Sequence, residues 1–81
     1  MLQVSLTGSF RSAAGGADKI EIEARTIREL MSKLVEQYPK MNQHVEDGIA
    51  VSINGEIYRD QQGVTIPQNA EVYLIPRIQG G

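Results

Sequence analysis

The chain ends in two glycines, Gly80 and Gly81, and these are the residues whose type and position point most directly to chemistry. A carboxylate on a terminal glycine is ionised at neutral pH, with a reference pKa near ~3.5, and it is inert until activated. ATP converts such a group to an acyl-adenylate, whose carbonyl can be attacked by sulfide, persulfide, thiol or amine. Because glycine has no Cβ, a narrow active site can admit it. The sequence favours a chain whose reactive group is its own end.

The segment before the glycines, "IPRIQGG", is predicted to leave the domain as a tail. Pro76 ends the last predicted strand, so residues 1–75 form the domain and residues 76–81 the tail. Six extended residues reach on the order of 20 Å, which lets the domain stay outside a buried active site while the tail enters it. A Gly-Gly end arises by chance about once in 200 chains, so its weight comes from its position directly after the domain.

Composition excludes several classes of function. The 81 residues predict one compact soluble domain, and a net charge of −2 with scattered basic residues argues against nucleic acid as a partner. Without cysteine and with a single histidine, the chain offers no disulfide, no thiolate nucleophile and no metal site, and no bound cofactor is expected. The opening "MLQVSL" shows neither a signal peptide nor a membrane span, so we expect a cytoplasmic protein without membrane contact.

The interior of the sequence offers little for catalysis. His44 lies beside Glu46 and Asp47, as a general base would, but a solvated histidine is the more common case. The glycine-containing segment "GSFRSAAGG" lacks the Gly-Lys-Ser/Thr ending of a phosphate loop and is predicted to be a plain hairpin loop. We therefore expect a protein that is not itself an enzyme.

Hydrophobic periodicity predicts an α+β domain. Alternating apolar residues predict strands over residues 2–6, 20–24, 49–53, 57–58 and 71–75. A capping box of Thr26 and Glu29 opens an amphipathic helix that Pro39 ends. Asn54-Gly55 predicts a tight hairpin, and Asn69 is expected to supply a left-handed turn residue. If the first and last strands are neighbours, the result is a β-grasp, or ubiquitin-like, mixed sheet with one main helix packed across it.

Several segments, in this order and spacing, resemble the MoaD/ThiS family of ubiquitin-like sulfur carriers, and most closely the small subunit of molybdopterin synthase. "FRSAAG" is similar to the family's loop after the first strand, and "TIRELMSKLVEQYP" to its helix ending in Tyr-Pro. "VSINGE" is similar to its Val-Asn-Gly hairpin, and "AEVYLIP" followed by the two glycines to its last strand and tail. The resemblance covers nearly the whole chain.

The resemblance implies a concrete cycle in molybdenum cofactor biosynthesis. An E1-like adenylating enzyme would activate Gly81 with ATP, a sulfur donor protein would convert it to a thiocarboxylate, and the tail would enter the molybdopterin synthase large subunit. Gly80 would permit access to that channel, and Arg77, Ile78 and Gln79 would line it. Candidates for the docking surface are Phe10, Arg11, Tyr73 and Ile75.

Other functions use the same activation chemistry. A thiamine-pathway carrier is the nearest alternative, although such carriers tend to lack much of the first loop. A protein modifier would join Gly81 to lysine amines of its targets. A ubiquitin-like interaction module with an inert tail would lose no activity when Gly80 and Gly81 are removed.

Overall fold

The computed structural model describes residues 1–59 and 61–76. Its elements, in chain order, are β1 (Leu2–Ser5), α1 (Ser9–Ala13), β2 (Lys19–Ile22), α2 (Ile27–Gln37), a 3-10 turn (Pro39–Met41), α3 (Asn42–Asp47), β3 (Ile49–Ile53), β4 (Glu56–Tyr58) and β5 (Glu71–Pro76). The predicted strands and the predicted main helix are all present. The polar stretch that follows Pro39 forms the short helical turn and α3.

The first and last of these strands lie side by side in the middle of one five-stranded sheet. β1 and β5 pair in parallel with Val4 opposite Val72, and the strand order is β2-β1-β5-β3-β4. β1 with β2, β3 with β4 and β3 with β5 are antiparallel pairs. This mixed sheet with a helix across it confirms the predicted β-grasp fold.

Helix α2 begins at the predicted capping box. The Thr26 hydroxyl accepts a hydrogen bond from the Glu29 backbone N–H at 3.2 Å. The Glu29 carboxylate reaches back one residue further than the prediction placed it and accepts the Arg25 N–H at 3.2 Å. The loop before β5 caps the remaining free donors, because the N–H groups of Ile27 and Arg28 donate to carbonyl oxygens of Val64 and Gln62. The N-terminus of the helix is therefore satisfied by protein groups.

The core lies between α2 and one face of the sheet. Ile27, Leu30 and Leu34 form the buried stripe of the helix, at the spacing that the sequence predicted. The sheet contributes alternate residues of its strands to the same core: Leu2, Val4, Ile20, Ile22, Val51, Ile53, Val72 and Leu74. One layer of helices thus covers one sheet face.

Two local predictions were wrong. The segment after β1 is a short helix, α1, where a loop was expected. It forms because the Phe10 side chain is buried in the core, a tertiary contact that the Gly-, Ser- and Ala-rich composition does not reveal. Pro76 was placed in the tail but is the last residue of β5, opposite Ile49. Proline is tolerated at the end of a strand, where its missing N–H is not needed.

The capping hydrogen bond at Thr26 is testable. Thr26→Ala removes the acceptor for the Glu29 N–H, so we expect the free energy of unfolding to fall by about 1 kcal/mol in urea denaturation. Ser32→Ala, at an exposed position inside the same helix, is the matched control and should leave stability unchanged or slightly raised. Equal losses in the two variants would contradict the capping role.

Candidate functional site: the open face of the sheet

The sheet face opposite α2 carries no helix in the described part of the chain. Strand β5 shows the alternation most clearly, because Val72 and Leu74 are 0% and 1% exposed while Tyr73 is 47% exposed. Ile75 lies on the same side as Tyr73 and is half-buried. Tyr73 and Ile75 therefore share the open face, as the period-2 pattern predicted.

A single row of side chains crosses the open face through Tyr73. The strand register places Lys19, Ser5, Tyr73, Ser52 and Ile57 in line across all five strands. Ser5 and Ser52 flank Tyr73 on its two sides and are small, so the aromatic ring stands above its neighbours. A partner that docks on this face must accommodate a protruding tyrosine.

Ile57 belongs to this surface, and sequence reasoning missed it. The side chain is 56% exposed on the edge strand β4. Its neighbour Tyr58 packs against the core, so period-2 alternation turns Ile57 to the open face. The alternation of Ile57 and Tyr58 is visible in the sequence, but a predicted strand of two residues does not show which of them faces the core. The Tyr58 hydroxyl donates to the Glu56 carboxylate at 2.7 Å, and this hydrogen bond raises the pKa of Tyr58.

Tyr73, Ile75, Ala50 and Ile57 together form what we call the apolar strip. Ala50 lies opposite Ile75 across the β3–β5 pair, next to the row through Tyr73. The strip spans three adjacent strands, two of which are hydrogen-bonded on both sides. Tyr73 and Ile57 are its exposed members, Ile75 is half-buried, and Ala50 is buried beneath them at 8% exposure. The strip is thus a rigid surface with an aromatic and a branched apolar side chain exposed, as at an interaction site.

The other two predicted docking residues lie elsewhere. Phe10 is 1% exposed, and its ring packs edge-to-face on His44 with centroids 4.9 Å apart, so the prediction that it forms a docking surface was wrong. His44, expected to be solvated, is half-buried by this contact. Arg11 is exposed on α1 and forms a salt bridge with Asp18 at 2.8 Å. Its docking role stays a prediction.

The predicted tail residues Arg77, Ile78, Gln79, Gly80 and Gly81 lie outside the described residues. What the structure places is the strand that leads to them. β5 carries Tyr73 and Ile75 on the open face and ends at Pro76, the last described residue. The apolar strip and the start of the tail segment are therefore on the same strand.

An acidic hollow adjoins the apolar strip. Its volume is about 440 Å³, and it is lined by Met1, Gln3, Glu21, Asn69, Ala70 and Glu71. Glu21, Gln3 and Glu71 form the row next to the one through Tyr73, because both glutamates are register partners of Gln3.

In residues 1–59 and 61–76, no three acidic, histidine or cysteine side chains are grouped so that they could hold a metal ion. No helix in that part of the chain has the length and hydrophobicity to cross a bilayer.

The β3–β4 turn is fastened to β5 by Asn54. Its backbone N–H donates to the Glu71 carbonyl at 2.9 Å, and its side-chain Oδ1 accepts the Glu71 N–H at 3.0 Å. Asn54 and Gly55 both have positive φ, 49° and 91°, as the Asn-Gly signal predicted. Asn69 also has positive φ, 63°, as expected. These bonds hold the hairpin that carries Ile57 against the strand that carries Tyr73.

Comparison with known proteins assigns the chain to a class of small ubiquitin-like carriers. The chain belongs to the ThiS family, whose model matches residues 4–81. Members of this family are ubiquitin-like sulfur carriers and are not themselves catalytic. No curated protein matches the sequence.

Solved structures share the fold at low sequence identity. CysO from Mycobacterium tuberculosis has a TM-score of 0.82 at 17% identity, over 96% of this chain and 100% of that one. SAMP1 from Haloferax volcanii has a TM-score of 0.74 at 22% identity, over 99% and 98%. A complex of subunits 1 and 2 of molybdopterin-converting factor from Helicobacter pylori gives 0.70 at 19% identity, over 99% and 97%. Proteins of this fold thus include one solved in complex with a partner subunit.

The fastening role of Asn54 predicts an order of stabilities. Asn54→Gly keeps the left-handed turn and loses one hydrogen bond, so its free energy of unfolding should fall by about 1 kcal/mol. Asn54→Ala loses the same bond and also places an alanine at positive φ, which costs roughly 1–2 kcal/mol more. Urea denaturation of both variants measures the difference. A glycine variant as unstable as the alanine variant would show that backbone conformation is not a constraint here.

Proposed function

We propose that this protein carries sulfur as a thiocarboxylate on Gly81 for the synthesis of molybdopterin. The observation that carries the sulfur-carrier part is the family match, which runs through the last strand and includes both Gly80 and Gly81. The molybdopterin destination is supported by the sequence resemblance and by the likeness to subunit 1 of molybdopterin-converting factor. The sequence supplies the rest of the reasoning, since it has no cysteine on which sulfur could travel. The carboxyl group is then the carrier's reactive group.

The chemistry takes place at one carbonyl carbon. An E1-like enzyme transfers AMP from ATP to the Gly81 carboxylate and releases pyrophosphate. A sulfide equivalent from a sulfur donor protein then forms a C–S bond as the C–O bond to AMP breaks. If the donor is a persulfide, a thiol must afterwards reduce the resulting acyl disulfide. The carrier's own contribution is access, because Gly80 and Gly81 place no side chain beside the reacting carbonyl.

Docking would be the task of the open face. The apolar strip offers Tyr73 and Ile75 on the strand that leads to the tail, so a partner seated on the strip lies close to the segment it must receive. Arg77, Ile78 and Gln79 would then line the channel of the activating enzyme or of the molybdopterin synthase large subunit. The Helicobacter pylori complex supports a partner subunit of this kind. Arg11, on α1, would contact the partner outside the strip.

A second candidate function is protein modification. It is favoured by the likeness to SAMP1, a small archaeal modifier protein, because the same acyl-adenylate can be attacked by a lysine amine. The two functions differ in their product. A modifier gives isopeptide-linked conjugates that disappear when Gly81 is deleted, whereas a carrier to molybdopterin or to the thiamine pathway gives a free thiocarboxylate.

The activation step is tested by intact mass. The protein is incubated with ATP, the E1-like enzyme of the same organism and a persulfide donor with a thiol. We expect a mass increase matching replacement of one carboxylate oxygen by sulfur. A Gly81-deleted chain is the control and should not change. If the mass of the full chain stays the same while the enzyme modifies another carrier, the sulfur-carrier proposal is wrong.

The docking role of the strip has its own test. Tyr73→Ala removes the protruding ring, so we expect its affinity for the activating enzyme to fall about 30-fold, as for a buried aromatic anchor. Tyr73→Phe keeps the ring and should stay within about 3-fold of the unsubstituted chain, which separates loss of apolar contact from loss of the hydroxyl. Calorimetry at fixed salt measures both. If Tyr73→Ala binds the enzyme as tightly as the unsubstituted chain, the strip is not the docking surface.

A further inference from the structure

The charge beside the apolar strip is asymmetric. Glu21 and Glu71 flank Gln3 in the row next to Tyr73, and Glu71 is two residues before Tyr73 on the same face of β5. Both carboxylates are exposed. On the outer strand β2, Lys19 stands at the end of the Tyr73 row, at the edge of the sheet. The lining of the hollow also includes Met1 with its α-ammonium group, so two negative charges and one positive charge lie on this side of the strip and the net charge there is negative.

Glu21 and Glu71 form no salt bridge with another residue of the described part of the chain. Among residues 1–59 and 61–76 the salt bridges join Arg11 to Asp18 and Lys33 to Glu29, and neither includes Glu21 or Glu71. The hollow between them, about 440 Å³, can take a long side chain of another protein. The described residues therefore present apolar contact area and two exposed carboxylates on one continuous surface.

This combination restricts what can cover the face. Phosphate-rich surfaces, whether nucleic acid or anionic lipid, are repelled by carboxylates beside the strip. A second copy is also disfavoured, because a symmetric contact that includes the hollow would contain Glu21 and Glu71 from both chains. A protein with a basic side chain next to an apolar patch satisfies both the charge and the exposed apolar groups.

We propose that the open face selects partners that seat an arginine or lysine in the acidic hollow while an apolar patch covers Tyr73. This inference rests on the proposed function, because the partner it describes is the one that docks on the apolar strip. Glu21 and Glu71 are two strand spacings apart, with Gln3 between them, so their backbones are roughly 10 Å apart. A long basic side chain suits a site of this width, and arginine, with five donors, suits it best. Glu21 and Glu71 thereby determine specificity and speed association, while the strip supplies most of the contact area.

The test compares charge reversals at matched sites. Glu21→Lys, Glu71→Lys and Glu36→Lys each change the net charge equally, but Glu36 is exposed on α2, on the other side of the sheet. Binding to the E1-like activating enzyme is measured by stopped flow at low salt and again at 0.5 M salt, a concentration at which the Debye length is only about 4 Å. We expect the association rate of the first two variants to fall about 10-fold at low salt and that of Glu36→Lys less than about 2-fold. The difference should shrink at high salt.

The association rates test the charge-selection proposal separately from the sulfur-carrier function. Equal rates for all three variants, in chains whose urea unfolding is unchanged, would overturn the charge-selection proposal. The sulfur-carrier function would stand in that case, provided that the unsubstituted chain still gains the mass of sulfur. The charge-selection proposal would also be overturned if the unsubstituted chain did not bind the enzyme at all. A dimer in sedimentation that Glu71→Lys dissociates would overturn it as well, because a second copy of the chain would then cover the face.

Discussion

The parallel pairing of β1 with β5 is the constraint on which the rest of the structure depends. It places Val4 opposite Val72 at the centre of the sheet, where both side chains are fully buried. Because β5 is also paired to β3, its register is fixed on both sides. A slip by one residue would move Tyr73 into the core and Val72 into solvent. The burial that stabilises the fold therefore also determines which side chains the open face displays.

The shortness of the chain explains why such a face remains open. A domain of this size can build one helical layer. The buried side chains of α2, which are Ile27, Leu30 and Leu34, cover the core face of the sheet. The central strands nevertheless carry Tyr73, Ile75 and Ala50 on their other side. Ala50 is already buried in the isolated domain, but Tyr73 is 47% exposed and Ile75 is half-buried, so the free energy of burying the rest of these two side chains is not used in folding. Their burial by a partner would contribute that free energy to binding instead.

How much the sequence could predict depends on how local each feature is. The Thr26 cap, the Asn54 turn and the alternation of β5 are each encoded within a few residues, and these predictions were confirmed. Phe10 was wrongly placed on the docking surface and Ile57 was missed, because the burial of one and the exposure of the other follow from tertiary packing. The acidic hollow could not be predicted at all, since Glu21 and Glu71 meet only through the pairing of three strands.

The low identity among proteins of this fold bears on where specificity lies. Chains under a quarter identical to this one keep the same sheet and helix, so the fold does not distinguish one partner from another. The side chains that point out of the open face are therefore the groups that a partner of this chain can distinguish. In this chain they are the protruding Tyr73 ring between Ser5 and Ser52, and the carboxylates of Glu21 and Glu71 in the neighbouring row. A partner has to be complementary to the shape of the ring and to the charge of the carboxylates.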